Sequence, residues 1–274
     1  MSMWKTKGNP MRLMGVDIGF SVVRPTTGIA CLQGNQLFLA RAGTSWESRQ
    51  SAIPRGFQAS FIALDGPLLP QGADKLIRRH CESLFIHSPF HNRCKPGLSH
   101  WGRGLELRRA SADACTQFSR VLASPASAEE QSPVSRCGPT LEAFPNGFLG
   151  VLTPEDELLL APKLKRGRRF DWLYERVVTT GRLESMLSRT LSLPDEVWHR
   201  LRSERDHELR AALICLLTAA IAAAGAAAII GELTGGWFWL PPWSAWQPWA
   251  RQGFNSVART MALQGQVLDN APEY

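Results

Sequence analysis

The chain has 274 residues, 44% of them hydrophobic and 20% charged, enough length and apolar material for a buried core without disulfide staples. Global disorder is excluded on the same grounds. Lys and Arg (31) exceed Asp and Glu (24), and the formal charge of +7 admits nucleic acid, anionic lipid or phosphate as partners without selecting one.

Residues 1–10 read as a flexible tail with no apolar leader segment. Residues 11–17 are an apolar run entering the turn Gly15-Val16-Asp17-Ile18-Gly19, so a strand is expected there. Two further strands follow at 27–32 and 36–42, joined by the hairpin signal Gly34-Asn35. Residues 59–64 form a compact apolar run that stops at Asp65-Gly66-Pro67, as a buried fourth strand does. Residues 67–139 are irregular and rich in Ser, Pro, Cys, His and Arg, with 124–135 reading as a flexible loop. A fifth strand is expected at 140–144, halted by Pro145.

Helices are expected over 170–191 and 206–230, with a helix start at Pro194-Asp195-Glu196 between them. The Ala-rich run 211–231 carries no charge over a membrane-spanning length. Alanine gives little transfer energy, so a helix buried in the core is expected and a membrane partner is not. The tryptophans at 237, 239, 243, 246 and 249 lead into a Trp/Pro-rich extension, 241–274, that packs on the domain. This region is also the expected contact for a protein partner or a second copy. The six cysteines are widely spaced, which favours reduced thiols and a cytoplasmic protein.

Three acids sit at or near strand ends: Asp17, Asp65 and Glu142. A carboxylate in such a place is costly unless it is paired or holds a cation. Asp206, with Glu208 as the alternative, opens the Ala-rich helix and completes a candidate set of four. Converging carboxylates form an all-oxygen site suited to Mg²⁺ or Mn²⁺. Two such ions activate a water and stabilise the departing oxygen in phosphodiester cleavage. The bland readings are a turn for Asp17, an edge position for Glu142 and a helix cap for Asp206.

Basic residues gather in two segments. One holds Arg78, Arg79, Arg93, Lys95 and Arg103 with Trp101; the other holds Lys163, Lys165, Arg166, Arg168 and Arg169. Phosphate contact by the cations and base stacking by Trp101 are the functional expectations. Both segments are expected to line the face that holds Asp17. His80, His87, His91 and His100, with Cys81 and Cys94, are zinc-ligand types without paired spacing, so an ordered insertion beside the site is expected rather than a zinc centre. The GxxxxGK[ST] phosphate loop, the GxSxG nucleophile elbow of α/β-hydrolases and the GxGxxG dinucleotide motif are absent.

A series of segments then carries a resemblance: GVDIG at 15–19, ALDGPLLP at 63–70, RCKPGLSHWGRGLELR at 93–108, LEAFPNGFLG at 141–150, DHELRAALICLLTAA at 206–220 and GGWFWLPP at 235–242. In this order they resemble a bacterial family of predicted RNase H-like nucleases within the RNase H-like superfamily. The resemblance implies a mixed five-stranded sheet over 11–240, with helices on its faces and a long insertion after the fourth strand. It implies a metal-dependent nuclease acting on nucleic acid. Asp17 would bridge two Mg²⁺ or Mn²⁺ ions, Asp65 and Glu142 would be inner-sheet acids, and Asp206 the helix acid. Some members carry a further acid one turn along that helix, where this chain has Arg210, Ala211 and Ala212. One alternative is a non-catalytic nucleic-acid or protein-binding module on a degraded site. A second is an actin-like or sugar-kinase-type phosphotransferase, but the second Gly-rich phosphate loop it needs follows neither Asp65 nor Glu142.

Overall fold

The computed structural model describes residues 5–6, 9–10, 12–21, 23–69, 78–123, 139–162, 164, 166–232 and 234–263. The first elements are β1 (Lys5–Thr6) and β2 (Asn9–Pro10), which pair with each other, then β3 (Arg12–Asp17), β4 (Thr27–Gln33), β5 (Gln36–Ala42), α1 (Trp46–Ser51) and β6 (Phe61–Asp65). The middle of the chain gives α2 (His80–Ile86), α3 (Arg103–Phe118), β7 (Thr140–Ala143), α4 (Pro145–Leu152) and α5 (Glu155–Leu160). The last part gives α6 (Arg166–Thr179), α7 (Arg182–Leu187), α8 (Asp195–Ser203), α9 (His207–Ala223), β8 (Ala228–Glu232), β9 (Gly236–Leu240) and α10 (Pro248–Leu263).

The fold is mixed α/β. Its main sheet has seven strands in the order β5-β4-β3-β6-β7-β9-β8 among the described residues, not the five expected. β3, β4 and β5 form an antiparallel meander around the hairpin at Gly34. β6, β7 and β9 then add in parallel, and β8 returns antiparallel at the far edge. Parallel central strands are stable only when both faces are covered. Side chains alternate across β3 accordingly. Leu13 joins the core under α9, with Ala30, Ala63 and Leu141. Met14 and Val16 join a second core with Ile29, Ile62 and Leu64, closed by Ala114 and Phe118 of α3.

The Ala-rich helix lies directly on the sheet because the sheet offers it glycines. A β-carbon on Gly15 would sit 2.1 Å from the Leu216 amide and 2.2 Å from the Ala212 carbonyl; one on Gly28 would sit 2.1 Å from the Glu208 carbonyl. Two residues back along the strand thus match four to eight residues forward along the helix. α9 therefore runs antiparallel to β3, with its first turn over the C-terminal end of that strand.

Several boundaries differ from expectation. The expected helix over 206–230 ends at Ala223; the chain then turns at Gly225 (φ 66°), and the rest of the apolar run becomes β8. The expected helix over 170–191 is broken at Gly181 (φ 71°) into α6 and α7. Trp237 and Trp239 belong to β9, and the described part of the extension beyond 241 is mostly α10. Trp246 and Trp249 are buried, their indole N–H groups donating to the carbonyls of Pro241 and Thr153. The insertion contains α2 and α3, while the loop expected at 124–135 lies outside the described residues. Among the described residues no helix is long and apolar enough to cross a membrane.

Candidate acid site and adjoining pocket

Register places the first two acids side by side. Asp17 ends β3 and is the Cα partner of Asp65, which ends β6. On its other side Asp17 faces Gly28, and Gly28 faces Arg41 of β5. A row Arg41–Gly28–Asp17–Asp65 therefore crosses one end of the sheet at strand spacings of about 4.8 Å. Because Gly28 has no side chain, the first turn of α9 drops onto the row there.

That turn brings two more acids. Asp206 is the N-cap of α9: one carboxylate oxygen accepts from the Leu209 amide at 3.1 Å, and the other accepts from Arg41 Nη1 at 3.1 Å. Arg41 Nη2 lies 3.2 Å from Glu208 Oε1, and its Nε donates to the Pro25 carbonyl at 2.8 Å. Arg41 thus holds both α9 acids beside the sheet. Burial first, then the charges of Asp65, Glu208 and Asp206, push the Asp17 carboxyl well above its ordinary range, against a smaller opposite pull from Arg41. The N-terminal partial charge of α9 adds a further local attraction for anions.

Glu142 does not join this group, contrary to the expected set. Its register partner is Leu64, itself paired with Val16, so it sits one residue out of phase with the Asp17–Asp65 row and takes the opposite side of the sheet. There Arg79 clamps it with two hydrogen bonds, Nη1 to Oε1 at 2.7 Å and Nη2 to Oε2 at 2.5 Å. The Leu68 amide adds a third at 2.8 Å. Burial pushes the Glu142 carboxyl up to about 7, opposed by the Arg79 charge, the Arg79 hydrogen bonds and the Leu68 amide.

The phosphate role expected for Arg79 is corrected on the same grounds. The residue is 1% exposed, also donates to Glu82 and to the Gly235 carbonyl, and lies over the Phe238 ring. Arg93 is engaged too, stacked over Trp249 at 4.5 Å and paired with Glu155 at 2.5 Å. Arg78 and Arg168 are exposed and Arg169 is half-buried. α6 starts near the acid cluster, since a β-carbon on Gly167 would lie 3.8 Å from His207 Cε1. Lys163 and Lys165, and the side chain of Arg166, lie outside the described residues. Arg210 ties α9 to Asp171 and Glu175 of α6.

A pocket of about 700 Å³ opens at the ends of β6 and β7. Asp65 and Glu142 both border it, so it adjoins the acid row from the far side. Lys95, Trp101 and Arg103 line it, as do Phe20, His91 and the first turn of α3. Three of the expected nucleic-acid contacts are thereby brought together. Cys81 and Cys94 are buried, and burial pushes the Cys94 thiol up to about 12, far from a thiolate at neutral pH. Among the described residues no three His, Cys, Asp or Glu side chains are drawn close enough to hold a metal ion. The acids form a pair, Asp17 and Asp65, with Glu208 and Asp206 alongside, rather than a closed cage.

Arg41 is the member of this cluster that the sequence motifs do not reveal. Its signal is in the hairpin: counting back from Gly34-Asn35 places Arg41 opposite Gly28, and Gly28 opposite Asp17. Comparison with protein-family models, with curated proteins and with solved structures finds no match to this chain.

Proposed function

We propose that the protein is a divalent-cation-dependent phosphodiesterase that cuts nucleic acid, with Asp17 and Asp65 as the cation-holding pair, Glu208 alongside them, and Asp206 as the cap of the helix that carries Glu208. The observation that supports this reading is the convergence of carboxyl groups at Asp17, which two strand ends and one helix start build together. Such a site fits Mg²⁺ or Mn²⁺ through the chemistry of its donors, all of them carboxylate oxygens. The RNase H-like reading draws support from β5-β4-β3-β6-β7, a mixed five-stranded arrangement inside the seven, with helices on both faces.

A bound divalent cation supplies Lewis acidity and a lowered water pKa. The chain supplies the rest. Asp17 and Asp65 set two carboxyl groups side by side at the sheet end, and Arg41 keeps Glu208 and Asp206 beside them. Lys95 and Arg103 meet the phosphates beside Asp65. In the reaction a water oxygen bonds to phosphorus, the bond from phosphorus to the 3′-oxygen breaks, and a water proton goes to that leaving oxygen.

One observation favours a second reading, a nucleic-acid-binding module without catalysis: the Arg79 clamp withdraws Glu142 from the expected carboxylate set. Cleavage of single-stranded, duplex and hybrid substrates with Mg²⁺ or Mn²⁺ separates the two. The nuclease reading expects cleavage that Asp17→Asn and Asp65→Asn each reduce by about 100-fold or more, or about 2.7 kcal/mol of barrier. Cleavage indifferent to both substitutions overturns it.

A further inference from the structure

We infer that the pocket beside Asp65 seats one unpaired nucleotide of a single strand, with its base in the apolar interior and its phosphate at the start of α3 between Lys95 and Arg103. The inference rests on the nuclease reading only for what Asp65 does to the adjoining phosphate.

Four independent observations converge. The first is size: about 700 Å³ is within the ~300–1,000 Å³ range of small-ligand pockets. The second is an exposed indole on the pocket wall. Trp101 is 74% exposed, yet it lines the pocket, with Phe20 and Phe144 also on its walls. An indole left in water is costly unless something stacks on it, and every base presents a flat face.

The third is an orphan polar group. Ser99 is 3% exposed and lines the pocket, and its hydroxyl has no hydrogen-bond partner among the described residues. The polar edge of a base meets that need, whereas a hydrocarbon ligand leaves it unmet. The fourth is the positive charge on the lining. α3 is sixteen residues long, its first turn carries no side-chain cap, and Gly102, Arg103 and Gly104 of that turn line the pocket with Lys95. The Gly104 and Leu105 amides are taken by the Trp101 and Gly102 carbonyls, so the two cations, beside the positive end of the α3 dipole, are what suits this lining to a phosphate.

The base must be unpaired. A base inside a duplex is stacked on both faces, and its ring cannot enter a concave pocket without leaving the stack. The occupant is therefore a single strand, or a nucleotide displaced from a duplex.

The test measures binding of the full chain, in chelator so that no strand is cut. The probes are a labelled single-stranded oligonucleotide, the same strand with its bases removed, and the duplex. The expected result is that the intact single strand binds about 5- to 100-fold more tightly than the abasic strand or the duplex. Trp101→Ala abolishes that advantage; the residue is exposed, so its loss leaves the fold intact. Arg103→Ala weakens the intact and abasic strands alike, as a phosphate contact does. Equal binding of intact and abasic strands, or a base preference that survives Trp101→Ala, overturns the inference. A selective loss on the intact strand with Arg103→Ala overturns the phosphate assignment. Cleavage is scored separately on the same strands with Mn²⁺. Base-dependent binding without cleavage defeats the nuclease reading and upholds the pocket; cleavage without base dependence does the reverse.

Discussion

Asp17 shows how a single residue is held at odds with stability. In the folded chain its carboxyl keeps its proton to a higher pH than in the unfolded chain, because burial and three neighbouring acids disfavour the charge. The stability this group contributes is therefore full below the ordinary carboxylate pKa and is lost as pH rises through the folded value. Asp17→Asn removes that loss. The variant is expected to melt above the wild type at neutral pH, by about 2–4 °C for each kcal/mol recovered. The gain should vanish below about pH 4, where the carboxyl is protonated in both states. Thermal melts across that range check it, and a variant that melts below the wild type at neutral pH contradicts the stored repulsion. Arg79 shows the opposite case: a buried cation surrounded by acceptors, whose removal leaves Glu142 and Glu82 buried without it.

Among the elements, the contact between α9 and the sheet decides where the acids meet. Gly15 and Gly28 let helix backbone rest on strand backbone, and the alanines of α9 make that approach possible from the other side. Gly15→Ala places a β-carbon about 2 Å from two backbone atoms of α9, neither of which can swing aside. The expected cost is about 3 kcal/mol, read as a lowered urea midpoint. A stability unchanged by Gly15→Ala contradicts the close approach.

Much of this level was legible in the sequence. Apolar runs ending in an acid located β3 and β6, and Gly34-Asn35 located the hairpin. What escaped was governed by parity and by backbone sign. Glu142 lies one residue out of phase with Asp65, which sends it to the other face, and single-strand patterns carry no inter-strand register. The helix over 206–230 was overextended because Ala-rich helix and apolar strand look alike until Gly225 takes a positive φ. β8 and β9 escaped with it, so the sheet came out two strands short.

For the molecule as a whole, the charge of +7 says less than where its parts lie. Arg79 and Arg210 are buried staples between elements, while Lys95 and Arg103 border the pocket next to the acid row. No count of cations separates these roles, because burial is set by the packing of α2, α3 and α9 rather than by local sequence. A chain of net positive charge repels a free cation at long range, so a bound divalent ion reports a local concentration of carboxylates. The most direct measurement is therefore Mn²⁺ binding, followed by calorimetric titration of the wild type, Asp17→Asn, Asp65→Asn and Glu142→Gln at neutral pH. The account predicts that the wild type and Glu142→Gln bind Mn²⁺ with similar affinity, and that Asp17→Asn and Asp65→Asn weaken binding by about tenfold or more, or about 1.4 kcal/mol. A wild type that does not bind Mn²⁺, or a site lost with Glu142→Gln and kept with Asp17→Asn, contradicts it.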